Sequence, residues 1–388
     1  MLPSYWQYLR PVGDLRFTVP QPMNESVHDA KESSQHLYSI EYPMSEACLT
    51  EFWVHGGGFY MGSGSDERYI ISAIVANSYR IGKLFVAVSL NPRLSAWDFL
   101  SSSDVISRGN TNLLVSGIKE NIGVFNGDPD MVRIWGESAG AVSVGTHVTT
   151  YGGRDDGLFP YSIRPVVDND LDGFVKAPIL AGTNTEGTSF GLTAIDAPDH
   201  FCAYPTDGTS GFKLPPSTAN RILDLYPDDP SQSIPEFLGA QRVSAKVADV
   251  PYLSGAAHFE GVAFVFNNIT GLGYHYGKPF AGMHESYGHL RTLMASMWVS
   301  FIHDLDPNSG IKNEGVRWQS YGANQPVDLV FHANVTSYME PDTWRKGGID
   351  YINSIAKAYL AIATIIATNK YTTTDRKWKL GARRGKRI

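Results

Sequence analysis

An α/β architecture, with a mainly parallel central sheet flanked by helices, is predicted by three observations. Short apolar runs recur along the chain, each closed by turn residues and followed by helical-looking segments, as a parallel sheet covered on both faces requires. One run ends in Gly136-Glu137-Ser138-Ala139-Gly140, the pattern of a strand that doubles back into a helix. Of 388 residues, 43% are hydrophobic and 12% aromatic, enough for a large core. There is no internal repeat and no low-complexity linker, so the chain reads as one globular domain although it exceeds the usual range of about 100 to 200 residues.

The buried strands are expected at residues 52–54, 84–90, 132–135 and 177–181. Residues 131–135 alternate in character as a short strand does, and the small residues of 141–148 suit a helix packed closely on a sheet. Between these two segments stands Ser138. Glycines two before and two after it remove the Cβ atoms that would collide in the turn and permit strained dihedrals that lift the hydroxyl clear. Three fixed residues in five recur by chance in a chain of 38 glycines; the flanking strand and helix patterns are what favour a nucleophile.

Attack of a serine on a carbonyl creates an oxyanion, and loss of one backbone donor to that charge costs about 3 to 4 kcal/mol. His55-Gly56-Gly57-Gly58-Phe59 follows the apolar run 52–54, so its glycines begin where a strand ends. A phosphate-cradling loop would want Lys then Ser or Thr after its last glycine, and Phe59-Tyr60-Met61 offers neither. Gly57, Gly58 and Ala139 are therefore the expected oxyanion donors.

Residues 54–62 together with 135–141 resemble the type B carboxylesterases, the family that includes fungal extracellular lipases and cholinesterases. Gly13-Asp14-Leu15-Arg16-Phe17, Ser45-Glu46-Ala47-Cys48-Leu49-Thr50, Gly109-Asn110-Thr111-Asn112-Leu113, Asn126-Gly127-Asp128-Pro129 and Met297-Trp298-Val299-Ser300-Phe301 are similar to further signposts in the family's order. The resemblance runs from about Pro11 to Ile352, is nearest the secreted fungal branch, and implies the α/β-hydrolase fold over residues 1–355. Residues 356–388 are a divergent C-terminal segment with a basic tail.

The remaining triad members should follow Ser138 in the order acid, then histidine. Residues 182–188 are similar to the family's acid-bearing loop, which implies Glu186 as the carboxylate that orients the imidazole. Without the resemblance, Asp168, Asp170 and Asp172 compete with it. Seven of the 11 histidines follow Glu186: His200, His258, His275, His284, His289, His303 and His332. Residues 255–266 resemble the family's histidine loop, which implies His258 as the general base. The activity so implied is hydrolysis of a small-molecule or lipid ester through an acyl-enzyme, with no cofactor and no metal; the alternative is an inactive fold-mate acting as a binding or adhesion module, or a truncated product. His284 and His289 are five apart, whereas two ligands on one helical face need a spacing of four.

Against the family pattern, Thr50-Glu51 passes directly to Phe52 where relatives insert a strand and turn. The stretch 113–117 is shortened, a large segment is missing after Phe159, a further block is missing near 246–249, and Pro92 and Asp98 stand where Tyr and Gly are usual.

A net charge of −7 gives no basic footprint for nucleic acid outside the tail. Residues 358–368 are apolar but shorter than the ~20 residues a bilayer span needs. The family is mostly secreted and Asn24, Asn268 and Asn334 stand in glycosylation sequons, while residues 1–10 lack the apolar run of a signal peptide; the compartment, extracellular or cytoplasmic, is left open, as is the oligomeric state. The two cysteines, Cys48 and Cys202, are expected to be unrelated thiols.

Overall fold

The computed structural model describes residues 36–38, 48–92, 94–95, 122–149, 177–184, 215–225, 258–275, 277–311, 316–322, 324–343 and 345–355. They belong to two compact units, one built from residues within 1–190 and 243–341, the other from residues within 191–242 and 342–388.

In the first unit, β1 (His36–Tyr38), β2 (Cys48–Val54), β3 (Val86–Leu90) and β4 (Gly127–Gly136) form a sheet in the order β1-β3-β2-β4. β2 runs parallel to both β3 and β4, and only β1 is antiparallel. Every residue from Leu49 to Val54 is buried, because the sheet is covered on both faces. Leu49, Trp53 and Ala87 join one core cluster with Ile71, Ile74 and Val75; Phe52, Val54, Val86 and Val88 join another with Ile122.

Helix α1 (Ile71–Arg80) buries Ile71, Ile74, Val75 and Ser78, the i, i+3, i+4, i+7 stripe of an amphipathic helix. A 3₁₀ turn, Ile122–Phe125, precedes β4, and α2 (Ala139–Thr149) follows it, with Val144 packed on the second cluster.

Further along the same unit come the short α4 (Gly261–Val265) and the 20-residue α5 (Glu285–Asp304). The His284 ring accepts a hydrogen bond from the Ser286 amide and caps α5, so its nitrogen serves the helix terminus rather than a ligand. α5 packs Val299 and Ile302 into the first cluster, and Leu293 and Met297 into a third with Leu329. Leu329 belongs to the antiparallel hairpin of β5 (Val327–Val330) and β6 (Tyr338–Pro341).

In the second unit, α3 (Pro216–Leu225) buries Ala219. Its first turn is closed by Thr218 and Ala219 amides donating to the Pro215 carbonyl, with Pro216 at a position where its missing N–H costs nothing. Residues 346–355 are also helical.

Two sequence expectations are corrected. Residues 177–184 form no strand, and Ile179 is 59% exposed: apolar character alone does not make a strand, and among the described residues none pairs with this segment. The strand before the glycine loop also starts earlier than residue 52, running unbroken through Thr50 and Glu51. Glu51 is consequently fully buried beside Ala87 and Arg133 in register, with neither carboxyl oxygen hydrogen-bonded. Burial pushes its pKa well above the ordinary range. The basic tail, Cys202, His200, Asp168, Asp170 and Asp172 lie outside the described residues.

Candidate active site

The site is assembled where β2 and β4 end side by side, Val54 opposite Gly136. β4 delivers the chain into Glu137 and Ser138, and α2 begins at Ala139. Ser138 has φ +53°, a left-handed conformation uncommon for a residue with a side chain and the strained geometry the Gly-x-Ser-x-Gly pattern predicts. Close packing explains the glycine at 140: a Cβ there would lie 2.0 Å from the Val54 carbonyl oxygen. The Gly140 amide donates to the Glu137 carbonyl at 2.8 Å and the Val142 amide to that of Ser138 at 3.0 Å, which fixes the turn.

The glycine loop lies against this elbow. A Cβ on Gly56 would come within 2.6 Å of Glu137 Oε2 and 3.0 Å of the Ser138 Cβ, so only a bare backbone passes here. Gly57 and Gly58 both adopt positive φ, +110° and +62°, and the Gly57 carbonyl accepts from the Tyr60 and Met61 amides. Ala139 opens its helix, where the first amides have no intrahelical acceptor.

From 120 residues further along the chain, His258 brings Nε2 to 3.0 Å from Ser138 Oγ. An aromatic cluster ties the three segments together: Trp53 of β2, Trp135 of β4 and Phe266 just after α4 have ring centroids 4.5 to 5.1 Å apart. Such contacts add about 0.5 to 1.5 kcal/mol each beyond burial.

Glu137 Oε1 lies 3.4 Å from the same imidazole nitrogen. Burial raises Glu137 to about 7 against the opposing charge of Arg68, and burial lowers His258. Desolvation, not mutual attraction, therefore dominates both, and near neutral pH the imidazole is unprotonated and able to accept a proton. Glu186 lies outside the described residues; Asn184, two residues before it, has its side-chain oxygen 3.8 Å from the Cβ position of Gly261, so the described end of that segment comes alongside the histidine loop.

Sequence reasoning passed over Glu137 as the variable residue of the serine motif, and nothing local marked Arg68. One sequon is also explained by structure: Asn268 is fully buried, its Nδ2 donating to the Leu272 carbonyl at 3.0 Å and its Oδ1 accepting from the Gly271 amide at 2.9 Å. Asn334 is exposed.

A profile of the carboxylesterase family matches residues 50–163. Secreted lipase 1 of Botryotinia fuckeliana is 32% identical over 286 residues, covering 67% of this chain and 49% of that protein. Lipase 2 of Diutina rugosa is 26% identical over 353 residues, covering 80% of this chain and 62% of that protein. The chain is thus similar to carboxylesterase-family proteins over most of its length. It is also similar in fold to the crystal structure of Aspergillus niger EstA, with a TM-score of 0.69 at 19% identity over 90% of this chain and 93% of that one. The fold is thus that of an α/β-hydrolase, and the chain spans 62% and 41% of the length of lipases 2 from Diutina rugosa and Geotrichum candidum. Among the described residues no helix is long and apolar enough to cross a membrane.

Proposed function

We propose that this chain is a serine hydrolase of carboxylic esters. Ser138 Oγ attacks the ester carbonyl while His258 Nε2 takes its proton, a step worth about two to four powers of ten in rate. The amides of Gly57, Gly58 and Ala139 receive the oxyanion. Collapse expels the alcohol with the proton returned by His258, and water, deprotonated by the same imidazole, releases the acid from the acyl-serine. Glu186 is the proposed acid that orients the imidazole. The observation that carries the reading is the 3.0 Å contact between Ser138 and His258, with the serine on a left-handed turn.

The substrate class, a small-molecule or lipid ester, follows the relatives' names as lipases and esterases. The name "Secreted lipase 1" of the Botryotinia fuckeliana relative supports an extracellular setting. The test is turnover of a short-chain nitrophenyl ester measured beside a thermal melt. Turnover abolished by Ser138→Ala supports the reading; a cooperative melt without turnover overturns it in favour of a binding module, and the absence of a melt favours a truncated product.

A further inference from the structure

His258 is held from one described side by its neighbour Phe259, and Phe259 is an unusual anchor. Its φ is +80°, a strained region for a bulky residue that persists only when its surroundings hold it. Two groups do so. The Tyr69 ring centroid lies 5.7 Å from that of Phe259, and the Arg68 guanidinium carbon lies 4.5 Å over the Phe259 ring.

Arg68 is itself fixed. Asp66 Oδ1 accepts from both the Arg68 backbone amide and Nε at 3.0 Å, and Asp66 Oδ2 accepts from Nε at 3.2 Å and Nη2 at 2.7 Å. The Tyr69 amide closes this turn onto the Asp66 carbonyl. On the other side, the backbone of Gly273 approaches so closely that a Cβ there would lie 2.6 Å from the Arg68 nitrogen. A planar fork engaged by one carboxylate while its face covers an aromatic ring is a geometry that arginine makes and lysine does not.

The charge of Arg68 also reaches the site. Asp66, Tyr69 and Tyr274 feel or supply charge around it, and its own charge opposes the burial of Glu137, whose carboxylate lies 3.4 Å from His258.

We propose that Arg68, locked by Asp66, is a positioning residue for the proton relay: it clamps the ring of Phe259, the chain neighbour of His258, and its charge acts on Glu137. This rests on the hydrolase reading, but half of it is observable without turnover. Removal of a nearby positive charge raises the proton affinity of both a carboxyl and an imidazole, so the coupled titration of Glu137 and His258 should move to higher pH.

The experiment compares wild type, Arg68→Met and Arg68→Lys by ester kinetics, by NMR titration of the His258 ring and by thermal melting. Arg68→Met should lower kcat roughly tenfold to a hundredfold with KM changed less than about twofold, the scale of a misplaced catalytic group, and should raise the titration midpoint of the His258 signal. Arg68→Lys should keep the wild-type midpoint because it keeps the charge, while still losing part of kcat because it loses the fork. A folded Arg68→Met variant with wild-type kcat and a wild-type ring titration overturns the proposal, even if its melting temperature falls. If the wild type itself turns over no ester, the hydrolase reading fails, and the ring titration alone then decides whether Arg68 governs the Glu137–His258 pair.

Discussion

Two regions of the β2–β4 strand pair each hold a glutamate out of bulk water, one partly and one fully, and they treat it differently. At the end where the strands stop, Glu137 lies 3.4 Å from His258 and within reach of the Arg68 charge. Near the middle, Glu51 is fully buried and both its oxygens lack a hydrogen-bond partner, although Arg133 stands opposite in register. The first region is arranged around its ionisable groups. The second lies inside β2, and it holds a carboxyl at a position that an apolar side chain would fill. The difference teaches that a carboxyl at the strand ends can serve the proposed chemistry, whereas one enclosed in a strand interior costs stability.

The largest effect should come from the strand-end region. Ser138→Ala and His258→Ala should each reduce kcat by about four to six powers of ten and should not add when combined, because relay members act as a unit; ester kinetics on the single and double variants check this. A double variant much slower than either single one would break the view of that end as one device.

Next comes Gly140→Ala, whose new Cβ would lie 2.0 Å from the Val54 carbonyl. Overpacking should cost about 1 to 3 kcal/mol in a denaturant melt, and displacement of the elbow about a hundredfold in kcat. Unchanged kinetics would mean that the site tolerates movement of the strand end.

The interior region gives a change of opposite sign. Because the folded pKa of Glu51 is raised, its contribution is fully present below the unfolded value near 4.5 and is lost as pH rises toward the folded pKa. Glu51→Leu should therefore stabilise the chain by about 1 to 3 kcal/mol at pH 8, and the gain should shrink toward pH 4. Melts across that range measure it, and destabilisation at pH 8 would show that the carboxyl has a partner that stabilises it.

Smallest is Glu137→Gln. At 3.4 Å and with its pKa near 7, the ionised carboxylate favours the imidazolium that forms during attack. The variant should lose less than about tenfold in kcat/KM, the scale of a hydrogen bond to a charged group, and only above pH 7. A pH profile of kcat/KM identical to wild type would remove Glu137 from the mechanism.

Much of the site was legible in sequence because tight turns leave glycine signatures. Gly136, Gly140 and Gly56 to Gly58 are required by contacts of 2 to 3 Å with backbone or side-chain atoms, and those contacts are local to two strand ends. The strands at Val86–Leu90 and Gly127–Gly136 were legible, with shifted bounds, from the apolar runs 84–90 and 132–135, as was α2 from its small residues. His258 needed the family resemblance, since nothing in its own neighbourhood distinguishes it from six other histidines. Residues 177–181 misled because a strand is defined by its neighbour and not by its own composition. Arg68 and Glu137 were not found because their roles come from contacts with Phe259 and His258, nearly 200 and 120 residues away in the chain, that no local pattern records. Asn268 looked like a glycosylation acceptor until its amide proved to be engaged inside the fold.

Reaction with a fluorophosphonate, read by mass spectrometry of the peptide bearing Ser138, tests the central claim most directly. The account predicts covalent labelling of Ser138 in the wild type and a loss of about a thousandfold in labelling rate in His258→Ala, the scale of general-base assistance. A folded wild-type chain that leaves Ser138 unlabelled, or a His258→Ala variant labelled as fast as wild type, would contradict it.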